Sequence, residues 1–253
     1  ADLVQNLCLH PVGNGLAHSV CRTLVEAERG TAYSKTIECA KILGKMTKAL
    51  ETYDDLDDEG IIEKWFSKES LEKGIKKLVE LKNDLNEDNP YKITFERDLE
   101  DKIKMSKDMI DNFNFDIIKK MTIMNSHGDY SVQQLIYNDK NETTVIDFET
   151  AKKLPVIWEV MRSYSYIDEK AKNGELAMDT LVDYVKEFSK YIQLNEYDLK
   201  YAAQIYLIQI VSSAFGYKQY NDDYSKTGLL EFALFRTNLC RYLYKNSEEI
   251  SSK

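Results

Sequence analysis

The chain has 253 residues, 43% of them hydrophobic and 30% charged, with a formal net charge of −9. That length buries a core as one large or two small domains, and the acidic balance argues against a nucleic-acid backbone as partner, which calls for a basic face. No apolar run approaches the roughly 20 residues of a membrane span, and ADLVQNLCLHP at the start lacks the basic and long apolar stretches of a signal peptide.

Residues 7 to 30 read as a short antiparallel piece. Asn14-Gly15 is a hairpin turn signal, Ser19 to Val25 is rich in β-branched residues, and a turn is expected at Arg29-Gly30. Few glycines and prolines follow, so the rest is expected to be mainly helical, an α+β chain dominated by helices. Ser34 is placed to cap a first helix with Ile37, Ala40, Ile42, Leu43 and Met46 on its inner face, ending near Leu50. A second helix is expected over 69–85, stopped by Asn-Glu-Asp-Asn-Pro at 86–90, and a third from Phe95 to Phe113. The lysines of this region alternate with acids and read as a solvated face. Pro155 suits the start of a helix through Trp158 and Tyr164, with others near 178–192, 196–216 and 228–245. Tyr201 to Phe215 is nearly all apolar and reads as a buried core helix. Cys8, Cys21, Cys39 and Cys240 form no C-x-x-C pair and have no histidine cluster beside them. Zinc-site spacing is therefore missing. Cys39 and Cys240 read as small core residues, and reduced thiols point to a cytoplasmic location.

The chemistry concentrates in Asn125 to Glu149, NSHGDYSVQQLIYNDKNETTVIDFE. His127-Gly128-Asp129 is followed five residues after the aspartate by Gln134. Asp147-Phe148-Glu149 ends the apolar run Val145-Ile146. Between them Leu135 to Tyr137 and Thr143 to Ile146 read as strands joined by a turn, which brings two carboxylates together at one end. Phosphoryl transfer uses two such groups, one to orient the attacking hydroxyl and take its proton, the other to hold Mg²⁺ against the phosphates. Read alone, each motif is short, and an aspartate before a helix also serves as an N-cap.

Together the motifs resemble the small-molecule branch of the kinase-like fold, the aminoglycoside phosphotransferases, choline kinases and homoserine kinases. There a catalytic loop H-G-D-x-x-x-x-N precedes a hairpin and I-D-F/W-E/D. VIDFETA at 145–151, WEVMRSYSY at 158–166 and TIECAKILGKMTKAL at 36–50 carry the likeness further, over residues 16 to 250. Gln134 stands where that branch has asparagine. The resemblance implies a helical kinase-like C-lobe over 31–253 and, over 1–30, a remnant of an N-lobe sheet and hinge. No G-x-G-x-x-G occurs, and the first lysine is Lys35.

What the resemblance implies about the site follows residue by residue. Asp129 is the catalytic base, and His127 orients its loop or passes a proton. Asp147 and Gln134 hold Mg²⁺, and the backbone of Val25, Glu26 and Ala27 meets the adenine of ATP. Glu149, Trp158, Tyr164 and Asp168 line the acceptor, where aromatic faces and carboxylates suit a cationic amine. The expected activity is transfer of the γ-phosphoryl of ATP to a hydroxyl of a small, amine-bearing molecule. The alternative is a weak or inactive kinase-like binding or scaffold protein. A nucleotide held from one side implies affinity near the millimolar scale, and apolar surface on that face implies a homodimer.

Overall fold

The structure, a computed structural model, describes residues 29–53, 56, 60–139 and 142–253. The expected antiparallel piece before Arg29, with Val25, Glu26 and Ala27, lies outside the described residues. In chain order the elements are α1 (Arg29–Leu50), α2 (Ile61–Trp65), α3 (Lys68–Asn83), α4 (Lys92–Asn112), β1 (Ile123–Ser126), β2 (Leu135–Tyr137), β3 (Thr143–Val145), β4 (Lys152–Pro155), α5 (Val156–Ile167), α6 (Met178–Ser189), α7 (Glu196–Lys200), α8 (Ala202–Val211), α9 (Tyr217–Asp222), α10 (Thr227–Lys245) and α11 (Ser247–Ser251). The described residues are mostly helical, with a few short strands. No described helix is long and apolar enough to cross a membrane.

The chain divides into two compact units. The first gathers α1 with Thr122–Asp168 and Ala177–Asp198, and therefore holds all four strands. Here α1 starts at Arg29, where a turn was expected, and Ser34 lies inside it rather than capping it. A glycine in a first turn costs only about 1 kcal/mol, which the packing of the later turns offsets. Cys39, Ala40, Leu43, Met46 and Leu50 are buried along its inner face, with Thr36 and Thr47 beside them. Thr47 satisfies its buried hydroxyl by donating to the Leu43 carbonyl at 2.9 Å. Burial pushes the Cys39 thiol up to about 12, so it stays protonated, as its core placement requires.

The strands form two antiparallel pairs. The expected hairpin pairs β2 with β3 in the register Leu135↔Val145, Ile136↔Thr144 and Tyr137↔Thr143. The second pair joins β1 to β4, with Ile123↔Pro155 at one end and Ser126↔Lys152 at the other. It was not expected, because four-residue segments leave almost no periodic signal. Its consequence is positional: β1 leads directly into His127, and β4 leads directly into α5. Asp198 anchors the start of β1, accepting from the Thr122 amide at 2.9 Å and from its hydroxyl at 2.6 Å. Asn195 and Asp198 also cap α7 reciprocally, each side chain accepting from the other's backbone N–H.

The second unit holds α2, α3 and α4 with Glu169–Leu176 and Leu199–Lys253. Ser67 begins α3 with a reciprocal capping box to Ser70, and Leu71, Leu78 and Leu81 form the buried stripe of that helix. The apolar run after Tyr201 is a core helix, α8, in which Ile205, Tyr206, Leu207, Ile208, Ile210 and Val211 are all buried. Cys240 is buried in α10. The solvated lysine face needs one correction. Lys102 is 1% exposed, on the same inner stripe as Asp98, Leu99, Met105 and Met109. Its ammonium donates to the Ile210 carbonyl at 3.1 Å, close to where α8 runs out of helical partners.

Candidate active site

The site is built by a loop, a hairpin and one helix of the first unit. Gly128 sits at φ +82. A methyl group there would meet the Thr150 carbonyl oxygen at 2.2 Å. The loop therefore requires glycine twice over, for its left-handed backbone and for its approach to the turn after Asp147. Thr150 closes the same contact from its side, donating its hydroxyl to the His127 carbonyl at 3.1 Å.

His127 is fully buried and joins the two aspartate motifs. Its Nδ1 accepts from the Asp129 amide at 3.3 Å. Its Nε2 lies 2.8 Å from the carbonyl of Ile146, the residue before Asp147. A carbonyl can only accept, so the ring carries its proton on Nε2. With both nitrogens engaged and Phe148 packed on the ring at 4.5 Å between centroids, the imidazole orients the loop. A second tie is the Ile146 amide, which donates to the Gln134 carbonyl at 3.0 Å.

Asp129 is partly exposed. One carboxylate oxygen accepts from Arg162 Nη2, and the other lies 3.5 Å from Gln134 Nε2. The Gln134 amide oxygen meanwhile accepts from the Ser131 hydroxyl. In this orientation the nitrogen of Gln134 faces Asp129 and its oxygen faces Ser131. Metal ligation by Gln134 would require the amide to turn. Asp147 differs from an ordinary capping aspartate. It is the one non-glycine residue with positive φ among the described residues, at φ 69 and ψ 55. Its carboxylate makes no capping bond to the turn Phe148–Thr150. Such a conformation costs about 1–3 kcal/mol for a non-glycine residue, and strain of this kind clusters at functional sites. An exposed carboxylate of this kind fits Mg²⁺, which is usually held by one or two carboxylates with phosphates and water. No cluster of three histidine, cysteine or acidic side chains suited to a metal occurs among the described residues.

Helix α5 grips the loop through two residues that the sequence reading did not single out. Glu159, 2% exposed, accepts from the His127 amide at 3.0 Å, the Gly128 amide at 2.7 Å and the Tyr130 amide at 3.4 Å. Burial pushes its carboxyl above the usual carboxylate range, while His127, Arg162 and the backbone amides pull the other way. Every bond it makes is one it accepts from N–H, the pattern of an ionised carboxylate. Arg162, one turn on, donates Nη1 to the Tyr130 carbonyl at 2.9 Å as well as Nη2 to Asp129. The signal for this pair was present in the sequence. A carboxylate between Val156-Ile157-Trp158 and Val160-Met161 has to be buried, and buried charges require partners.

Of the expected site residues, the fold brings together His127, Asp129 and Gln134, with the chain segment that carries Asp147. Glu149 is exposed in the turn after Asp147. Trp158 and Tyr164 are 1% and 0% exposed, and Tyr164 donates its hydroxyl to the Ala177 carbonyl at 2.7 Å. Both are core residues rather than acceptor contacts, because an apolar helix face gains more by burial than an open site returns. Asp168 accepts from the Ala177 amide at 2.7 Å and so ties the end of α5 to the start of α6.

No protein-family profile matches the chain, and no curated protein sequence matches it at a significant level. Among solved structures it is similar to the crystal structure of an aminoglycoside phosphotransferase from Alicyclobacillus acidocaldarius. The TM-score is 0.54 at 13% identity, and the likeness covers 86% of this chain and 67% of that one. At that identity the likeness is one of fold.

Proposed function

We propose that the chain is a kinase-like phosphotransferase that moves the γ-phosphoryl of ATP onto a hydroxyl of a small acceptor. The observation that carries this reading is the junction at His127. One imidazole holds the amide of Asp129 and the carbonyl next to Asp147, and so sets two carboxylates into one local frame. The first is partly exposed; the second is strained and makes no cap. An exposed carboxylate that makes no cap is available to a ligand, which supports the role assigned to Asp147. The fold likeness to a phosphotransferase is consistent with this reading.

In the proposed reaction Asp129 takes the proton of the acceptor hydroxyl as its oxygen bonds to the γ-phosphorus. The bond to the bridging oxygen breaks, and ADP leaves with that electron pair. Little covalent work falls to the protein, so orientation and charge carry the rate. Asp147 is the residue that would hold Mg²⁺, whose charge offsets that of the phosphates. Gln134 orients Asp129 through its amide nitrogen. The acceptor we assign is amine-bearing, since Glu149, exposed beside Asp147, offers an ammonium group a carboxylate.

The test is ADP release from Mg-ATP with a panel of aminoglycosides, choline and homoserine. Transfer to at least one acceptor, lost on chelation of Mg²⁺ and in Asp129→Asn, is expected. An absence of acceptor-dependent ADP release across aminoglycoside, aminoalcohol and hydroxy-amino-acid classes would overturn it.

A further inference from the structure

Among the described residues, Arg162 is the cation that touches the candidate base. Its side chain is 15% exposed, its guanidinium carbon lies 4.8 Å from the centroid of the Tyr166 ring, and it reaches the loop at two points, the Tyr130 carbonyl and Asp129 Oδ1. A planar guanidinium held at one nitrogen by a fixed backbone carbonyl and at its side by a ring has little freedom left. The carboxylate it binds inherits that orientation, and Oδ2 is the oxygen left on the side of Gln134. The loop backbone, by contrast, is already held without Arg162, by three amide bonds to Glu159 and by His127. Charge adds a second reason. A base that carries −1 repels the phosphoryl group it must approach, and a cation on its far oxygen offsets that repulsion at short range.

Resting on the phosphotransferase reading, we propose that Arg162 is a positioning residue for Asp129, selecting which carboxylate oxygen meets the acceptor hydroxyl and compensating its charge beside the phosphates. It acts through Asp129 and transfers no proton itself. Lysine is not an equivalent, because a single ammonium cannot hold the carbonyl and the carboxylate in one plane.

The experiment uses the full chain with Mg-ATP and whichever acceptor of the panel it phosphorylates. It compares wild type, Arg162→Lys, Arg162→Met, Asp129→Asn and the double variant Asp129→Asn/Arg162→Met. Arg162→Met is expected to lower kcat about 10²-fold, the scale of a misplaced catalytic group, with KM for Mg-ATP changed less than about threefold. Arg162→Lys falls between, and millimolar guanidinium ion partly restores Arg162→Met. In the double variant the loss is that of Asp129→Asn alone, since a residue acting only through Asp129 has nothing left to position. A further loss in the double variant, or equal losses in kcat and melting temperature without rescue, identifies Arg162 as a packing residue and overturns the proposal. Full turnover in Arg162→Met overturns it as well, and leaves the phosphotransferase reading standing. A wild-type chain with no transfer overturns that reading, and this proposal with it.

Discussion

Both units bury charge, and they use it differently. In the second unit Asp98, 1% exposed, accepts from the Tyr217 hydroxyl at 2.8 Å and from Arg241 at 2.6 Å. Arg241 also reaches Asp101, and Tyr217 meets Thr237 at 2.7 Å. These partners are side chains of α4, α9 and α10, so the network fastens helices to one another. In the first unit Glu159 spends its carboxylate on the amides of three residues of one loop. A charge spent on helix neighbours fixes packing. A charge spent on the amides of an irregular loop fixes the direction of the side chain that loop carries, here Asp129. The difference separates the unit that carries the candidate site from the other, although the buried residues look alike by composition.

Four substitutions sharpen that contrast. Asp129→Asn has the largest expected effect, a fall of about 10²–10⁴ in phosphotransfer, the usual scale for a positioned general base. The melting temperature should move little, because the carboxylate is partly exposed. Steady-state kinetics beside calorimetry would check both; full turnover would remove Asp129 from the role. Asp98→Asn should do the opposite. Weakening the bonds from Arg241 and Tyr217, while Asp101 still holds Arg241, should cost about 1–3 kcal/mol in urea denaturation, while kcat measured well below the transition stays near wild type.

Gly128→Ala strikes fold and site together. The left-handed backbone and the clash an added methyl would make with the Thr150 carbonyl predict a loss of about 1–3 kcal/mol, with turnover falling as the loop lifts from the turn after Asp147. Retained activity at unchanged stability would mean that the loop does not need the Thr150 contact. The smallest effect is expected at Lys102, whose ammonium is disfavoured by burial and by Arg236 and Arg241, and favoured by Asp98 and Cys240. Burial comes first, so its folded-state pKa lies below the ordinary lysine value. Where pH lies between the two values the unfolded chain binds more protons, and stability rises with pH. Below that window the buried charge costs in full. Lys102→Met should therefore be at least as stable as wild type at pH 7. Wild type should gain on the variant as pH rises towards 10. A gap that stays constant or moves the other way, in paired urea titrations, would contradict that sign.

The mainly helical composition, the leucine stripe of α3 and the stop after it, the buried run of α8 and the β2–β3 hairpin were legible in the chain, because each rests on local periodicity or turn chemistry. The candidate carboxylates were legible for a related reason. Asp129 and Asp147 sit in compact motifs where neighbouring residues set the local backbone, and Gly128 between His127 and Asp129 reports that backbone directly. Partnership across sequence was not legible. Glu159 and Arg162 lie about thirty residues from the loop they hold; the apolar neighbours of Glu159 foretell its burial, but nothing local names its partners. Trp158 and Tyr164 had the composition of a ligand wall and became core. Lys102 had the composition of a solvated face and was buried against Ile210. Periodicity states that a side chain lies on a given stripe. Only packing decides whether that stripe meets water, a neighbouring helix or a loop, because that depends on elements dozens of residues away.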